Sequence, residues 1–88
     1  MSAMLKFSKR TKGEIAMEYY DRIKALREDN NLNQTAVARI LGTSQSYYSE
    51  YELGKRMLPL HHLKTLCLYY RVSADYILGI PRGLDWPR

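Results

Sequence analysis

Apolar residues recur three and four positions apart along most of this chain, and no strand-like alternation runs for a useful length. Ile15, Tyr19, Ile23 and Leu26 fall at helical spacing, which predicts a first helix from Glu14 to about Asp29. Asn30-Asn31 ends it, because asparagine tolerates the left-handed conformation that closes helices. Asn33 is a good N-cap for a short helix from Gln34 to Leu41, with Val37, Ala38 and Leu41 inward and Gly42 after it. Ser44 caps a third helix that runs to Tyr51 or Glu52, and Gly54 stops it. Pro59 precedes a fourth, Leu60 to Tyr70, with Leu63, Leu66, Cys67 and Tyr70 on one stripe. Ser73 caps a last short helix in which Val72 staples onto Ile77, and Gly79 closes it. The pattern predicts a five-helix all-α domain over residues 14–79. Residues 1–13 lack a period and read as a flexible basic arm, while Pro81 bars a helix from the tail at 80–88. Met17 serves equally well as a start, which leaves open whether residues 1–16 are native.

Composition narrows the class. Eighty-eight residues with 45% apolar and 26% charged side chains suit one small globular domain. The single cysteine, Cys67, forms no internal disulfide and reads as a buried structural thiol. No apolar run approaches the roughly 18 residues of a membrane span and no signal peptide is visible, so a cytoplasmic protein is expected. The net charge of +5 suggests a polyanionic partner, but its distribution weakens that inference. Lys6, Lys9, Arg10 and Lys12 precede Gly13, leaving ten basic against nine acidic residues in the remainder. Placement of individual charges therefore matters more than their total.

The most informative stretch is GTSQSYYSEYELGKR, residues 42–56. Two helices cross steeply over a three- to four-residue turn only if the first offers a small residue at the crossing and the turn accepts positive φ. Ala38 and Gly42 meet those needs, and Tyr48 and Tyr51, three apart, anchor the second helix inward. Gln45, Ser46 and Glu50 then lie along its outer side.

QTAVARILGTSQSYYSEYELGKR, followed by LPLHHLKTLCLYYRVSADYILG, resembles the DNA-binding domain of Cro and phage-repressor type regulators, the xenobiotic-response-element family. The resemblance runs from about Tyr20 to Gly79. It implies a lambda-repressor-like fold with the helix-turn-helix at the second and third helices, and a homodimer on a palindromic double-stranded operator. By position, the resemblance assigns base reading in the major groove to Gln45, Ser46 and Glu50. It assigns phosphate contacts to Gln34, Ser44, Tyr47, Lys55 and Arg56. Glu50 departs from the family, which often has a basic or amide residue there. Its carboxylate either accepts from a cytosine N4 or holds Arg39, Lys55 or Arg56 in place. Arg27 and Glu52 match a structural ion pair that ties the reading helix to the scaffold.

Other chemistry is not expected. His61 and His62 point about 100° apart on a helix with no further ligands, so both read as surface residues and no metal is implied. The tyrosines, Tyr48, Tyr51, Tyr70 and Tyr76 among them, fall at core spacing and read as packing residues. Ser44, Ser46 and Ser49 lack a base to activate them, so no enzyme and no cofactor are expected. The resulting expectation is a transcriptional repressor of bacterial or phage type, acting at the nucleoid without a small-molecule effector. A protein-interaction or antitoxin-like module that keeps the fold is the alternative. Dimer contacts are expected from Tyr76 to Trp86, since Ile80, Leu84 and Trp86 are too apolar for a free tail.

Overall fold

The computed structural model describes residues 17–81, which form five helices: α1 (Tyr19–Asp29), α2 (Gln34–Leu41), α3 (Gln45–Leu53), α4 (Leu60–Tyr70) and α5 (Ala74–Leu78). No strand occurs among the described residues. The expected basic arm, Ile15 and the Leu84–Trp86 part of the tail lie outside them. No helix among the described residues is long and apolar enough to cross a membrane.

Local capping accounts for most of the boundaries. Asn33 Oδ1 accepts from the Ala36 amide at 2.8 Å, Ser44 Oγ from Tyr47 at 3.1 Å and Ser73 Oγ from Tyr76 at 3.0 Å. Gly42, Gly54 and Gly79 follow their helices with φ of 74°, 75° and 77°. Asn31 and Arg71 adopt the same left-handed conformation without being glycine. The first helix differs from expectation at its start. Met17 and Glu18 are not helical, and α1 begins at Tyr19. The Glu18 amide donates to Asp21 Oδ2 at 3.1 Å, so the Glu18-to-Asp21 step makes an N-terminus inside the apolar periodicity.

Ile23, Val37, Tyr48, Leu66 and Ile77 are the fully buried centre, with Leu26, Ala38, Leu41, Tyr51, Leu58 and Leu63 around them. Every helix contributes at least one side chain to this core. Helix α3 packs across both α2 and α1, while α5 closes against α1 and α4. Ala38 is 2% exposed, and its carbonyl accepts the Thr43 amide at 2.9 Å. A small side chain there lets the turn fold back over α2.

Three aromatic or thiol positions differ from the sequence reading. His62 is buried, 7% exposed, with its ring edge-on to Tyr51 at 5.9 Å between centroids. Burial first, and His61 second, push its imidazole below the ordinary value. The two histidine rings are 4.2 Å apart rather than diverging. Tyr76 is half exposed, since the five-residue α5 has room to bury only Ile77, and its ring receives the Arg22 guanidinium at 5.9 Å. Cys67 is only partly buried, against the edge of the core, and burial pushes its thiol up.

The two glycines that bracket the crossing have different surroundings. A Cβ on Gly42 would meet nothing within 4 Å, whereas one on Gly54 would approach the Tyr20 ring to 2.8 Å. Gly42→Ala should therefore cost only backbone strain, about 1 kcal/mol. Gly54→Ala should melt lower, and Tyr20→Ala in that background should remove the excess. Thermal melts of these three variants, with wild type and Tyr20→Ala alone as references, check this, and equal melting of the two single glycine variants would count against the close approach of Tyr20.

Candidate nucleic-acid interface

Helix α3 is mostly polar, QSYYSEYEL, so its position depends on a few inward groups. Tyr48 and Tyr51 are buried on the core side, with rings edge-to-face at 6.3 Å. Glu52 is the third inward group, a carboxylate whose side chain is 2% exposed. Arg27, from α1, reaches it with two prongs: Nε donates to Oε2 at 2.7 Å and the second guanidinium nitrogen to Oε1 at 3.1 Å. The remaining prong of Arg27 donates to the Leu32 carbonyl at 3.0 Å. One guanidinium thus joins α1, the α1–α2 connection and α3.

The network continues outward from Glu52. Gln34, the first residue of α2, donates its side-chain amide to Glu52 Oε1 at 3.0 Å. Gln34 Oε1 in turn accepts from the Gln45 amide at 2.7 Å. Gln45 is the first residue of α3 and is exposed. Its second N–H and its carbonyl oxygen have no partner among the described residues. A continuous relay therefore runs from partly buried Arg27 through buried Glu52 and Gln34 to an exposed glutamine.

Electrostatics follow from this geometry. Burial alone would raise the Glu52 carboxyl. Arg27 above all, with Tyr48 and Gln34, more than offsets that and holds it below 4.5. The hydrogen bond to Glu52 raises Arg27 in return. The Tyr48 hydroxyl is buried near the carboxylate without a hydrogen-bond partner among the described residues, and burial, reinforced by Glu52, pushes it up. Tyr70, also desolvated, is pushed up to about 12.

The outer face carries the remaining candidates. Ser46 is exposed beside Gln45, and Ser44 accepts from its own helix. Glu50, one turn on, takes the Arg56 Nε–H at 2.8 Å, and the Arg56 guanidinium lies over the Tyr47 ring at 4.1 Å. That bond raises Arg56 above its ordinary value. Lys55 is exposed and its side chain meets no acidic partner among the described residues. Gln34 is not a free group at a helix start, as position alone suggested, because both ends of its amide are engaged within the protein. Neither the Gln34–Gln45 bond nor the Tyr47–Arg56 stack has a signal in the sequence. Each depends on how separate segments cross. Among the described residues no group of three His, Cys, Asp or Glu side chains is placed to hold a metal.

Two outcomes test the inner part of the network. Arg27→Ala should cost about 3 kcal/mol by stranding a buried carboxylate, whereas Lys24→Ala, on the exposed side of the same helix, should stay within about 0.5 kcal/mol. Chemical denaturation of both variants distinguishes them, and equal losses would mean that the buried pair contributes nothing specific. Because the folded-state value of Glu52 is depressed, its contribution is present above the unfolded value of about 4.5 and is lost as pH falls through the lower folded value. The stability gap between the wild type and Glu52→Gln should therefore shrink as the pH falls below the unfolded value of 4.5 and through the lower folded one. A gap that stays constant over that range would contradict the assignment.

This geometry has counterparts in known proteins. A family model described as a helix-turn-helix domain matches residues 20–79. The uncharacterized HTH-type transcriptional regulator YobD of Bacillus subtilis (strain 168) is 37% identical over 67 residues, covering 76% of this chain and 60% of YobD. This chain therefore spans less than two thirds of that relative's length. Among solved structures, the P22 c2 repressor protein in complex with synthetic operator 9T superposes with a TM-score of 0.66 at 25% identity, over 72% of this chain and 96% of that one. A transcriptional regulator from Listeria innocua superposes with a TM-score of 0.71 at 18% identity, over 81% and 66% of the two chains, and shares the fold. The chain belongs to the helix-turn-helix domain family.

Proposed function

We propose that this chain is a sequence-specific, double-stranded-DNA-binding transcriptional regulator, a repressor, that inserts the start of α3 into the major groove. The observation that carries the reading is the relay ending at Gln45. An exposed amide fixed by Gln34, and through it by a buried ion pair, is a preorganised reader. One Gln45 N–H is taken by Gln34. The other, with the carbonyl oxygen, matches adenine N7 and N6 in the major groove. Ser46 adjoins it as an adaptable second reader.

Phosphate contacts fall to Lys55 and Arg56 beyond the end of α3, Tyr47 at its rim, Ser44 before α3, and the backbone N–H groups at the start of α2 around Gln34, whose side chain is engaged within the protein. The P22 c2 repressor, with the same fold, is solved on operator DNA, which supports this mode of docking. One such helix reads only a few base pairs, so a homodimer on half-sites about 34 Å apart is part of the proposal. Exposed Leu68 and Tyr69 on α4 and Tyr76 and Leu78 on α5 are apolar surface suited to a two-fold contact. The protein would act at DNA in the cytoplasm, with no cofactor.

Gln45→Ala should relax preference at one operator position by about 1–3 kcal/mol of discrimination, while Lys55→Ala should weaken all duplexes alike and flatten the salt dependence by about one phosphate contact. Selection of bound sites from a random duplex library provides the operator, and a panel of single substitutions provides the measurement. Uniform weakening by Gln45→Ala would remove it from base reading. Salt-insensitive binding by the wild type would point instead to an apolar protein partner.

A further inference from the structure

Glu50 is an acidic residue on the face of α3 that carries the candidate readers, and the structure couples it closely to Arg56. Both the Lys55 and Arg56 amides donate to the Glu50 carbonyl, at 2.9 and 3.3 Å, so the segment after Gly54 folds back over the last turn of α3. The side chains then pair at 2.8 Å, and the flat guanidinium rests on the Tyr47 ring. The pair is not sheltered: the two side chains are 44% and 40% exposed. Arg56 uses only its Nε–H in hydrogen bonding among the described residues, so the outer edge of its guanidinium has no bonded partner there.

We propose that Glu50 is a specificity-determining residue that works through Arg56, exchanging this arginine for a base amino group on the matching site. In the free protein its carboxylate neutralises Arg56 and holds it on Tyr47, so a duplex of arbitrary sequence gains little from this cation. A carboxylate only accepts hydrogen bonds, and in the major groove only cytosine N4 and adenine N6 offer amino donors. Where such a base faces Glu50, the carboxylate turns to it and the guanidinium is released to a phosphate. Where guanine or thymine faces it, only acceptors or a methyl group meet the carboxylate, and Arg56 stays paired.

The exchange is feasible because a half-exposed, solvent-screened pair holds its partners by no more than about fivefold in an equilibrium constant. The inference rests on the DNA-binding reading above and deepens it by assigning Glu50 a positioning role. It also suits the near balance of basic and acidic residues after Gly13, where suppressing one cation changes nonspecific attraction appreciably.

The test is a double-mutant cycle on DNA affinity. Wild type, Glu50→Gln, Arg56→Gln and the double variant are titrated with a library-selected duplex and a scrambled duplex over a series of salt concentrations. Circular dichroism confirms that each is folded. Glu50→Gln should tighten scrambled DNA by about threefold or more and steepen the salt slope by about one phosphate contact. The selected-to-scrambled ratio should fall. In the Arg56→Gln background the same substitution should leave scrambled affinity and slope nearly unchanged. An equal effect in both backgrounds would show that the carboxylate acts by charge alone and overturn the exchange. Absence of tightening would do the same. If the wild type binds neither duplex, the DNA-binding reading itself fails and takes this one with it. Salt-dependent wild-type binding with an uncoupled cycle would sink only the exchange.

Discussion

The buried carboxylate of Glu52 is the group around which the other parts are arranged. A charge almost wholly removed from water is tolerable only with close, well-aligned partners, and Arg27 provides two of its hydrogen bonds and Gln34 a third. These partners come from different helices, so satisfying one carboxylate fixes α1, α2 and α3 against one another. Helix α3 needs that constraint more than its neighbours. It buries only two tyrosines besides Glu52, and a polar helix so lightly anchored would otherwise be free to roll about its axis. Leu32, whose carbonyl takes the third prong of Arg27, ties the α1–α2 connection into the same arrangement.

The same demand shapes the aromatic side of the core. Tyr48 and Tyr70 bury hydroxyls without hydrogen-bond partners among the described residues, a cost a leucine would avoid. Their rings offset this by filling the space between α3 and α4, with His62 closing the layer against Tyr51. Burial, reinforced by the field of Glu52, pushes both hydroxyls up. The three hydrogen bonds to the Glu52 carboxylate restrict this side of the core more than aliphatic packing alone would.

Stiffness at the base of α3 bears on its exposed face. The relay ends on Gln45, so a residue proposed to read bases is oriented by a pair buried on the opposite side of the motif. Along the rest of the exposed face of α3 the arrangement is looser: Tyr47, Glu50 and Arg56 hold one another in solvent, where such contacts are easily exchanged. The start of the helix is thus preorganised and the rest of its exposed face adjustable. Such a division suits a protein whose folded part carries little net charge and so depends on local placement for both affinity and discrimination.

Helix number, order and most boundaries follow from the sequence, because caps act over three or four residues. Asn33, Ser44 and Ser73 bond amides three positions on, and Gly42, Gly54 and Gly79 adopt the backbone angles for which glycine is suited. The start of α1 was misjudged for the complementary reason: apolar spacing continues past Glu18, and only the Glu18–Asp21 bond marks the boundary. The outer residues of α3 likewise follow from period alone, whereas the pairing of Arg27 with Glu52 is implied only by the family resemblance. Tertiary structure decided which side chains meet once the helices cross. The Gln34–Gln45 bond, the stacking of Arg56 on Tyr47 in preference to Arg39 or Lys55 reaching Glu50, and the burial of His62 depend on distances between segments far apart in sequence. Local pattern constrains the direction of a side chain along its own helix. Its partner is chosen by the crossing angle and depth of packing, which emerge only when all five helices share one core.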